Sequence, residues 1–204
     1  MTKSVHVAIY DTLADWEIGH ITAHINNGEF QREPGQYQIV TVGETAEPIT
    51  TMGGLRVTPD TTLDQVSAAD SAMLILPGAA TWVPEGNKAF RAKAREFAEA
   101  GVPVAAICGA TFGMAAEGLL DERAHTSNAP QFLTMSGYKG ASNYRDELAV
   151  TDGNLITASG IAPVHFAREV FALLGVYEPS VLESWYKLYG QQDPSGYFEL
   201  MESA

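Results

Sequence analysis

Short apolar runs alternate along this chain with segments in which apolar residues recur every three or four positions. A continuous apolar run predicts a strand buried on both faces, and the longer period predicts an amphipathic helix. The predicted strands are Val5–Tyr10, Tyr37–Gly43, Ala72–Leu76 and Val102–Ile107. The predicted helices are Asp15–Asn27 with Asp15 as its N-cap, Asn87–Ala100, the segment from Cys108 to Glu117, a short one at Gln131–Met135, and Ala162–Leu174.

Two glycine-containing turns predict β-hairpins. Gly53-Gly54 lies inside the segment Ile49–Thr58, and Asp152-Gly153 separates Leu148–Val150 from Leu155–Thr157. Elsewhere, apolar strands alternate with helices, which predicts parallel βαβ units with helices on both faces of one sheet. The fold class is therefore α/β.

The stretch Val102–Glu117, VPVAAICGATFGMAAE, carries the chain's one cysteine at the junction of a strand and a helix. Small neighbours permit a sharp strand-to-helix turn, the geometry of a nucleophile elbow. Such a turn places Cys108 at a helix N-terminus, where the helix dipole and free N–H groups favour a thiolate. The alternative is a small hydrophobic residue ending a core strand, because free cysteines are among the most buried residue types.

The predicted sheet brings further residues to the same edge. Asp11, Gly78 and Cys108 each follow a predicted strand, and ligands of open parallel sheets bind at the carboxyl ends of the strands. Three aromatic residues are candidates for the mouth of a pocket at this edge: Trp82, Trp16 and Tyr144. For each of them the alternative is an aromatic side chain packed in the fold.

Composition narrows the function classes. The chain has 204 residues, enough for one domain spanning 1–204, and its formal net charge is -13. This charge excludes nucleic acid and anionic membrane surfaces as favoured partners, because the protein's field repels phosphate. No apolar run approaches the ~20 residues of a membrane span, and no signal-peptide pattern opens the chain. With a single cysteine, these features predict a cytoplasmic protein.

The last segment, Tyr177–Ala204, is rich in aromatic residues. An unpacked tail would expose these rings to water, so we expect this extension to pack on the domain or on a partner subunit.

The chain resembles the ThiJ/PfpI superfamily, whose fold is like that of class I glutamine amidotransferases. The resemblance implies a flavodoxin-like three-layer sandwich with a mainly parallel central sheet. It spans most of the chain in the family's order. The matching segments are DWE (Asp15–Glu17), ILPGA (Ile75–Ala79), AAICGAT (Ala105–Thr111), GLLDERAHTSNAP (Gly118–Pro130) and TASGIAPVHFA (Thr157–Ala167).

The resemblance also implies roles for individual residues. Cys108 is the expected nucleophile, and Glu17 is the expected acid that contacts it from the first helix. The backbone N–H groups of Gly78 and Gly109 are the expected oxyanion donors. For Glu17, the alternative is an acid that is stabilised at a helix N-terminus by the dipole.

The chain departs from the protease-like and glyoxalase-like branches at one position, since Gly109 stands where they carry a histidine after the nucleophile. Proteolysis is therefore doubtful, because an amine leaving group needs a proton donor. His125, Asn128 and His165 are further candidates, although for both histidines a structural or solvated position is the stronger interpretation.

No cofactor-binding motif is present, and we predict no metal site, although His20 and His24 share one helix side with Glu17. Three functions remain open: a cysteine-dependent hydrolase-, amidase- or deglycase-like enzyme acting on a small carbonyl or amide electrophile; a redox or stress-response protein whose Cys108 is oxidised; and a glutamine amidotransferase-like protein. The resemblance also implies a homodimer, and the expected ligand is a small molecule or an oxidant.

Overall fold

The computed structural model describes residues 2–83 and 86–203. Its strands are β1 (Lys3–Ala8), β2 (Tyr37–Gly43), β3 (Ile49–Thr50), β4 (Arg56–Val57), β5 (Thr61–Thr62), β6 (Ser71–Leu76), β7 (Val104–Ile107), β8 (Ala149–Asp152) and β9 (Leu155–Ala158). Its helices are α1 (Gly19–Asn27), α2 (Lys88–Glu99), α3 (Gly109–Ala116), α4 (Pro130–Thr134), α5 (Pro163–Leu174), α6 (Pro179–Tyr189) and α7 (Ser195–Glu202).

Within the described ranges, the central sheet has seven strands in the order β5-β2-β1-β6-β7-β9-β8. All neighbouring strands are parallel except β8 and β9, which pair antiparallel. Strands β3 and β4 form a separate hairpin, so both predicted hairpins are present. The mainly parallel sheet and the flavodoxin-like α/β class are confirmed.

Both faces of the sheet are buried, which explains why its strands are continuous apolar runs. Along β6, Leu74 and Leu76 pack into one cluster while Met73 and Ile75 pack into the other. Helices α2 and α3 cover the first cluster, and helices α1, α5 and α6 cover the second. The result is the predicted three-layer arrangement, with the carboxyl ends of the strands left at one edge.

The first helix begins later than predicted. Residues Asp15–Glu17 form a 3-10 turn, and α1 begins at Gly19, so Asp15 is not the N-cap. Instead the Asp15 carboxylate accepts hydrogen bonds from Thr51 Oγ1 at 2.5 Å and from the Gly53 N–H at 2.7 Å. The β3–β4 hairpin is thereby tied to the turn that carries Glu17.

The C-terminal segment forms two helices that the sequence did not predict. Helix α6 packs on α5, and Trp185 at its centre is 1% exposed. Trp185 is thus buried against the domain, whereas Tyr197 and Phe198 on α7 are exposed. Within residues 2–83 and 86–203, no helix has the length and hydropathy that crossing a membrane requires.

Candidate active site

Cys108 occupies the sharp turn between β7 and α3. Its φ of 58° and ψ of -123° lie outside the regions that residues with a side chain usually adopt. Such a conformation costs about 1–3 kcal/mol and persists where surrounding contacts hold it. The Cys108 N–H donates to Ala158 O at 3.0 Å, and Thr111 Oγ1 donates to Cys108 O at 2.6 Å. The predicted nucleophile elbow is therefore present.

Glu17 lies beside this elbow and is 1% exposed. Its Oε2 accepts a hydrogen bond from the Gly78 N–H at 2.5 Å. A methyl group on Gly78 would lie 2.8 Å from both Cys108 Cβ and Glu17 Oε2, so the bare glycine is what lets these two side chains approach. The Gly78 N–H is engaged by Glu17, whereas the resemblance implied a free oxyanion donor.

The second carboxylate oxygen of Glu17 has a different environment. Oε1 is buried and accepts no hydrogen bond of ordinary geometry within the described ranges. The Cys108 side chain faces the same carboxyl group and interacts with it. A buried acceptor without a regular partner is costly, so this oxygen is poised to take a proton.

Burial sets the ionisation of this pair. Desolvation raises the pKa of Glu17 to about 7, although the hydrogen bonds from Gly78 and Cys108 act in the opposite direction. Burial also raises the pKa of the Cys108 thiol, and a negative Glu17 raises it further. The helix N-terminus alone predicted the opposite direction for Cys108. The two groups titrate as a coupled pair, with the proton favoured on sulfur.

Two donors face the sulfur. The Gly109 N–H and the Asn128 side chain both act to lower the pKa of Cys108, with Asn128 Nδ2 donating to Sγ at 3.4 Å. The other end of the same amide is fixed, because Asn128 Oδ1 accepts from the Gly160 N–H at 2.8 Å. The Asn128 amide is therefore oriented with its donor toward the sulfur.

Gly160 and Trp16 complete the site, and sequence reasoning assigned no catalytic role to either. A methyl group on Gly160 would lie 2.7 Å from Cys108 Sγ, so this backbone forms one wall of the site. Trp16 Nε1 donates to Gly160 O at 3.2 Å, and its side chain is half exposed. The available signal was the position of Ser159-Gly160 after β9, at the carboxyl edge of the sheet.

The candidate histidines do not contact the cysteine. His125 is fully buried, where Nδ1 bonds Arg123 O at 2.7 Å and Nε2 lies 3.3 Å from Tyr138 Oη. His165 Nε2 lies 2.8 Å from Tyr186 Oη on α6. Both histidines therefore make their contacts with other parts of the fold.

Other residues singled out by the sequence also have structural contacts. Asp11 lies at its strand end but accepts from the Thr50 N–H of β3. His20 and His24 stack on each other and meet Trp185 edge-on. Within residues 2–83 and 86–203, no three or more His, Cys, Asp or Glu side chains are grouped to hold a metal ion.

Of the aromatic candidates for a pocket mouth, Trp82 is completely buried and is a packed aromatic. Tyr144 is partly buried, and its hydroxyl donates to Ser127 O at 3.4 Å. Trp16 is the one of the three that is exposed and that also contacts Gly160, the residue beside Cys108 Sγ.

The chain is similar to known proteins in both sequence and fold. A family model described as DJ-1/PfpI matches residues 3–173. A Bacillus subtilis protein named "Uncharacterized protease YoaZ" is 42% identical over 205 residues, covering 99% of this chain and 98% of the relative.

Two solved structures are also similar. A ThiJ/PfpI family protein from Bacillus anthracis superimposes with a TM-score of 0.93 at 41% identity, covering 100% of this chain and 97% of the other. The DJ-1 superfamily protein Atu0886 from Agrobacterium tumefaciens gives a TM-score of 0.83 at 31% identity, covering 94% of this chain and 100% of the other.

Proposed function

This chain belongs to the DJ-1/PfpI family, and we propose that it is a cysteine-dependent, hydrolase-, amidase- or deglycase-like enzyme that acts on a small carbonyl or amide electrophile. The observation that carries the proposal is the buried pair of Cys108 and Glu17 at the elbow. A thiol held in a strained turn faces a carboxylate whose Oε1 lacks a regular partner. Perturbed titratable pairs of this kind cluster at functional sites.

The first step joins sulfur to the substrate. Cys108 Sγ attacks the carbonyl carbon and forms a C–S bond, while the thiol proton moves to Glu17 Oε1. The carbonyl π electrons move to oxygen, which becomes an oxyanion. A carboxylate with a pKa of about 7 is suited to accept a proton at neutral pH.

Donors near the sulfur stabilise this oxyanion. The Gly109 N–H and Asn128 Nδ2 are the groups that face the sulfur, and they take the roles first expected of Gly109 and Gly78. Fixed donors in a site shielded from water act without reorganisation. For an ester or amide substrate, the oxyanion collapses in the second step, the bond to the leaving group breaks, and that group takes the proton from Glu17. Water then cleaves the acyl–sulfur bond and regenerates the thiol.

The site favours small electrophiles over peptides. Neither His125 nor His165 contacts Cys108, so Glu17 is the one proton carrier that the proposed mechanism uses. A glutamine amidotransferase needs a cysteine–histidine–acid triad, and this arrangement does not support one. The relative from Bacillus subtilis is named an uncharacterized protease, and that name is not evidence that this chain cleaves peptides.

The decisive experiment is the pH dependence of Cys108 alkylation by iodoacetamide in the wild type and in Glu17→Gln. In the wild type we expect the rate to rise first near pH 7, as Glu17 ionises and begins to accept the thiol proton. A second rise at higher pH marks the free thiolate. In Glu17→Gln the first rise disappears and the second moves to lower pH, because the negative neighbour is gone.

Matched variants make this result specific. Glu99→Gln changes an exposed carboxylate at the end of α2, and its profile should equal that of the wild type. Cys108→Ser should abolish both alkylation and turnover of a panel of small esters and amides. Identical profiles for the wild type and Glu17→Gln would contradict the proposal.

A redox function is the second candidate, favoured by the partial exposure of the unpaired Cys108. A peroxide would transfer one oxygen to the sulfur, giving a sulfenic acid and water, and a second equivalent would give the sulfinic acid. A mass gain of one or two oxygen atoms at Cys108 under dilute peroxide, with no turnover on the panel, would favour this function over the enzyme.

The proposal extends to a cytoplasmic homodimer. Helix α7 leaves Tyr197, Phe198 and Met201 at 51%, 64% and 52% exposure, which is apolar surface that a second copy would bury. Light scattering at micromolar concentration should give twice the mass of the chain. A monodisperse monomer would contradict this part of the proposal.

A further inference from the structure

Two buried aromatic side chains meet the loop that carries Gly78. Tyr10, just after β1, is 6% exposed, and Trp82 is 0% exposed. The Tyr10 hydroxyl donates to Pro77 O, and Trp82 Nε1 donates to the same oxygen at 2.9 Å. Trp82 Nε1 also lies 3.1 Å from Tyr10 Oη. The carbonyl of Pro77 is therefore held by two donors at once.

The other side of the same peptide unit faces the proposed proton acceptor. The Gly78 N–H donates to Glu17 Oε2 at 2.5 Å. Donors on a peptide oxygen polarise the amide and strengthen its N–H as a donor, so hydrogen bonds in such a chain reinforce one another. The Pro77–Gly78 peptide thus connects Tyr10 and Trp82 to the Glu17 carboxylate.

Trp82 also packs on the helix that follows the nucleophile. A methyl group on Gly109 would lie 3.2 Å from Trp82 Cδ1, and one on Gly113 would lie 2.3 Å from Trp82 Cζ3. The indole therefore lies directly on α3. One ring contacts both the helix after Cys108 and the Pro77–Gly78 loop whose N–H binds Glu17.

We propose that Tyr10 and Trp82 are positioning residues that hold the Pro77–Gly78 peptide and, through it, keep the Glu17 carboxylate ready to accept the Cys108 proton. The inference rests on the proposed function, since it concerns the same pair. The titratable groups that face Glu17 are the Cys108 thiol and the Tyr10 phenol. Burial raises the pKa of Tyr10 well above its ordinary value, so the phenol remains a donor throughout the neutral range.

The test is the alkylation profile of Tyr10→Phe, a substitution that keeps the ring and removes the hydroxyl. With one donor lost from Pro77 O, the Gly78 N–H stabilises the Glu17 carboxylate less, and the carboxyl holds its proton to higher pH. The rise near pH 7 should move upward by about half a pH unit, since polarisation changes one hydrogen bond by a fraction of its strength.

Two further variants separate positioning from general destabilisation. Tyr37→Phe removes a comparable bond, Tyr37 Oη to Leu174 O at 2.8 Å, and should leave the profile unchanged. A Glu17→Gln background retains only the upper inflection, and Tyr10→Phe should leave that inflection unchanged there, because the group through which it acts is absent. If Tyr10→Phe fails to fold, Trp82→Phe removes the second donor and tests the same shift.

The outcomes also distinguish this inference from the proposed function. If Glu17→Gln changes the profile but Tyr10→Phe and Trp82→Phe do not, the positioning role is wrong and the proposed function stands. If Glu17→Gln itself leaves the profile unchanged, the proposed pair fails first. A Tyr10→Phe shift that persists in the Glu17→Gln background would overturn the inference, because Tyr10 would then act directly on Cys108.

Discussion

Two regions bury titratable side chains, with opposite effects on the pKa. One is the edge of the sheet at Cys108, and the other is the aromatic cluster of His20, His24 and Trp185 between α1 and α6. At the edge, desolvation raises the pKa of Glu17 from its ordinary value near 4.5 to about 7. In the aromatic cluster, desolvation lowers the pKa of His24 from 6.5 to about 4, with a smaller contribution from His20. Desolvation thus brings the pKa of Glu17 into the neutral range and moves the pKa of His24 out of it.

The difference shows why His24 is a poor candidate for proton transfer at neutral pH. Burial favours the neutral form of any group, and a neutral histidine with a pKa of about 4 stays neutral at pH 7. A buried carboxyl group with a pKa of about 7 exchanges its proton there. The aromatic cluster therefore contributes stability, while the Cys108 edge is where we propose that the chemistry takes place.

The largest expected effect is that of Trp185→Ala, which tests the contrast between the stabilising aromatic cluster and the Cys108 edge. Trp185 is 1% exposed and packs against Phe171, His20 and His24. Deleting its indole should lower the free energy of unfolding by about 3–5 kcal/mol, as for other buried aromatics, and leave the Cys108 alkylation profile unchanged. Urea unfolding measures the first quantity. Trp16→Ala, at a half-exposed indole, should cost far less, and a comparable loss there would contradict this contrast.

The second test is the pH dependence of stability in Glu17→Gln. Because folding raises the pKa of Glu17, the unfolded chain loses this proton first, and the wild type loses stability as pH rises from about 4.5 through about 7. The variant lacks this penalty. Relative to wild type it should therefore gain about 2–3 kcal/mol between pH 4.5 and pH 8, measured by urea unfolding at both values. If the stability of the two proteins had the same pH dependence, folding would not raise the pKa of Glu17.

The fold was predictable because its signals are local and repeated. Runs such as Ala72–Leu76 are apolar at every position because both faces of the sheet are covered. Strand β5 was missed because Thr61–Thr62 is two residues long and has no pattern. The start of α1 was misplaced because the Asp15 carboxylate binds the distant residue Thr51, a contact that local sequence does not encode.

The site was predictable only in part. Cys108 was identifiable from the strand, its small neighbours and the helix, but the direction of its pKa depended on burial beside Glu17. The orientation of side chains within one loop was not predictable either. His125 turns into the domain, while Asn128 turns toward the sulfur. Tertiary packing decides between these directions, and the two intervening residues, Thr126 and Ser127, carry no signal for it.

The third test replaces a histidine of the aromatic cluster, His24→Phe. Folding lowers the pKa of His24, so the unfolded chain binds the proton first and the wild type loses stability as pH falls from 6.5 toward 4. The variant keeps an aromatic ring without this titration. Between pH 7 and pH 5 we expect wild type to lose about 1–2 kcal/mol more than the variant, after discounting for the partial exposure of the ring. Parallel curves by urea unfolding would remove the contrast between the two regions.

The smallest expected effect concerns Asn128, whose hydrogen bond lowers the pKa of Cys108 while burial raises it. Asn128→Ala removes the hydrogen bond from Nδ2 to Cys108 Sγ and the acceptor of the Gly160 N–H. We expect a loss of about 1 kcal/mol in the free energy of unfolding, with the upper inflection of the alkylation profile moving to higher pH. Asn143→Ala is the matched control, since its amide donates to Asp121 O at 2.9 Å away from the sulfur. If both variants moved the inflection equally, the Asn128 amide would have no specific effect on the thiol, and burial and Glu17 would account for its pKa.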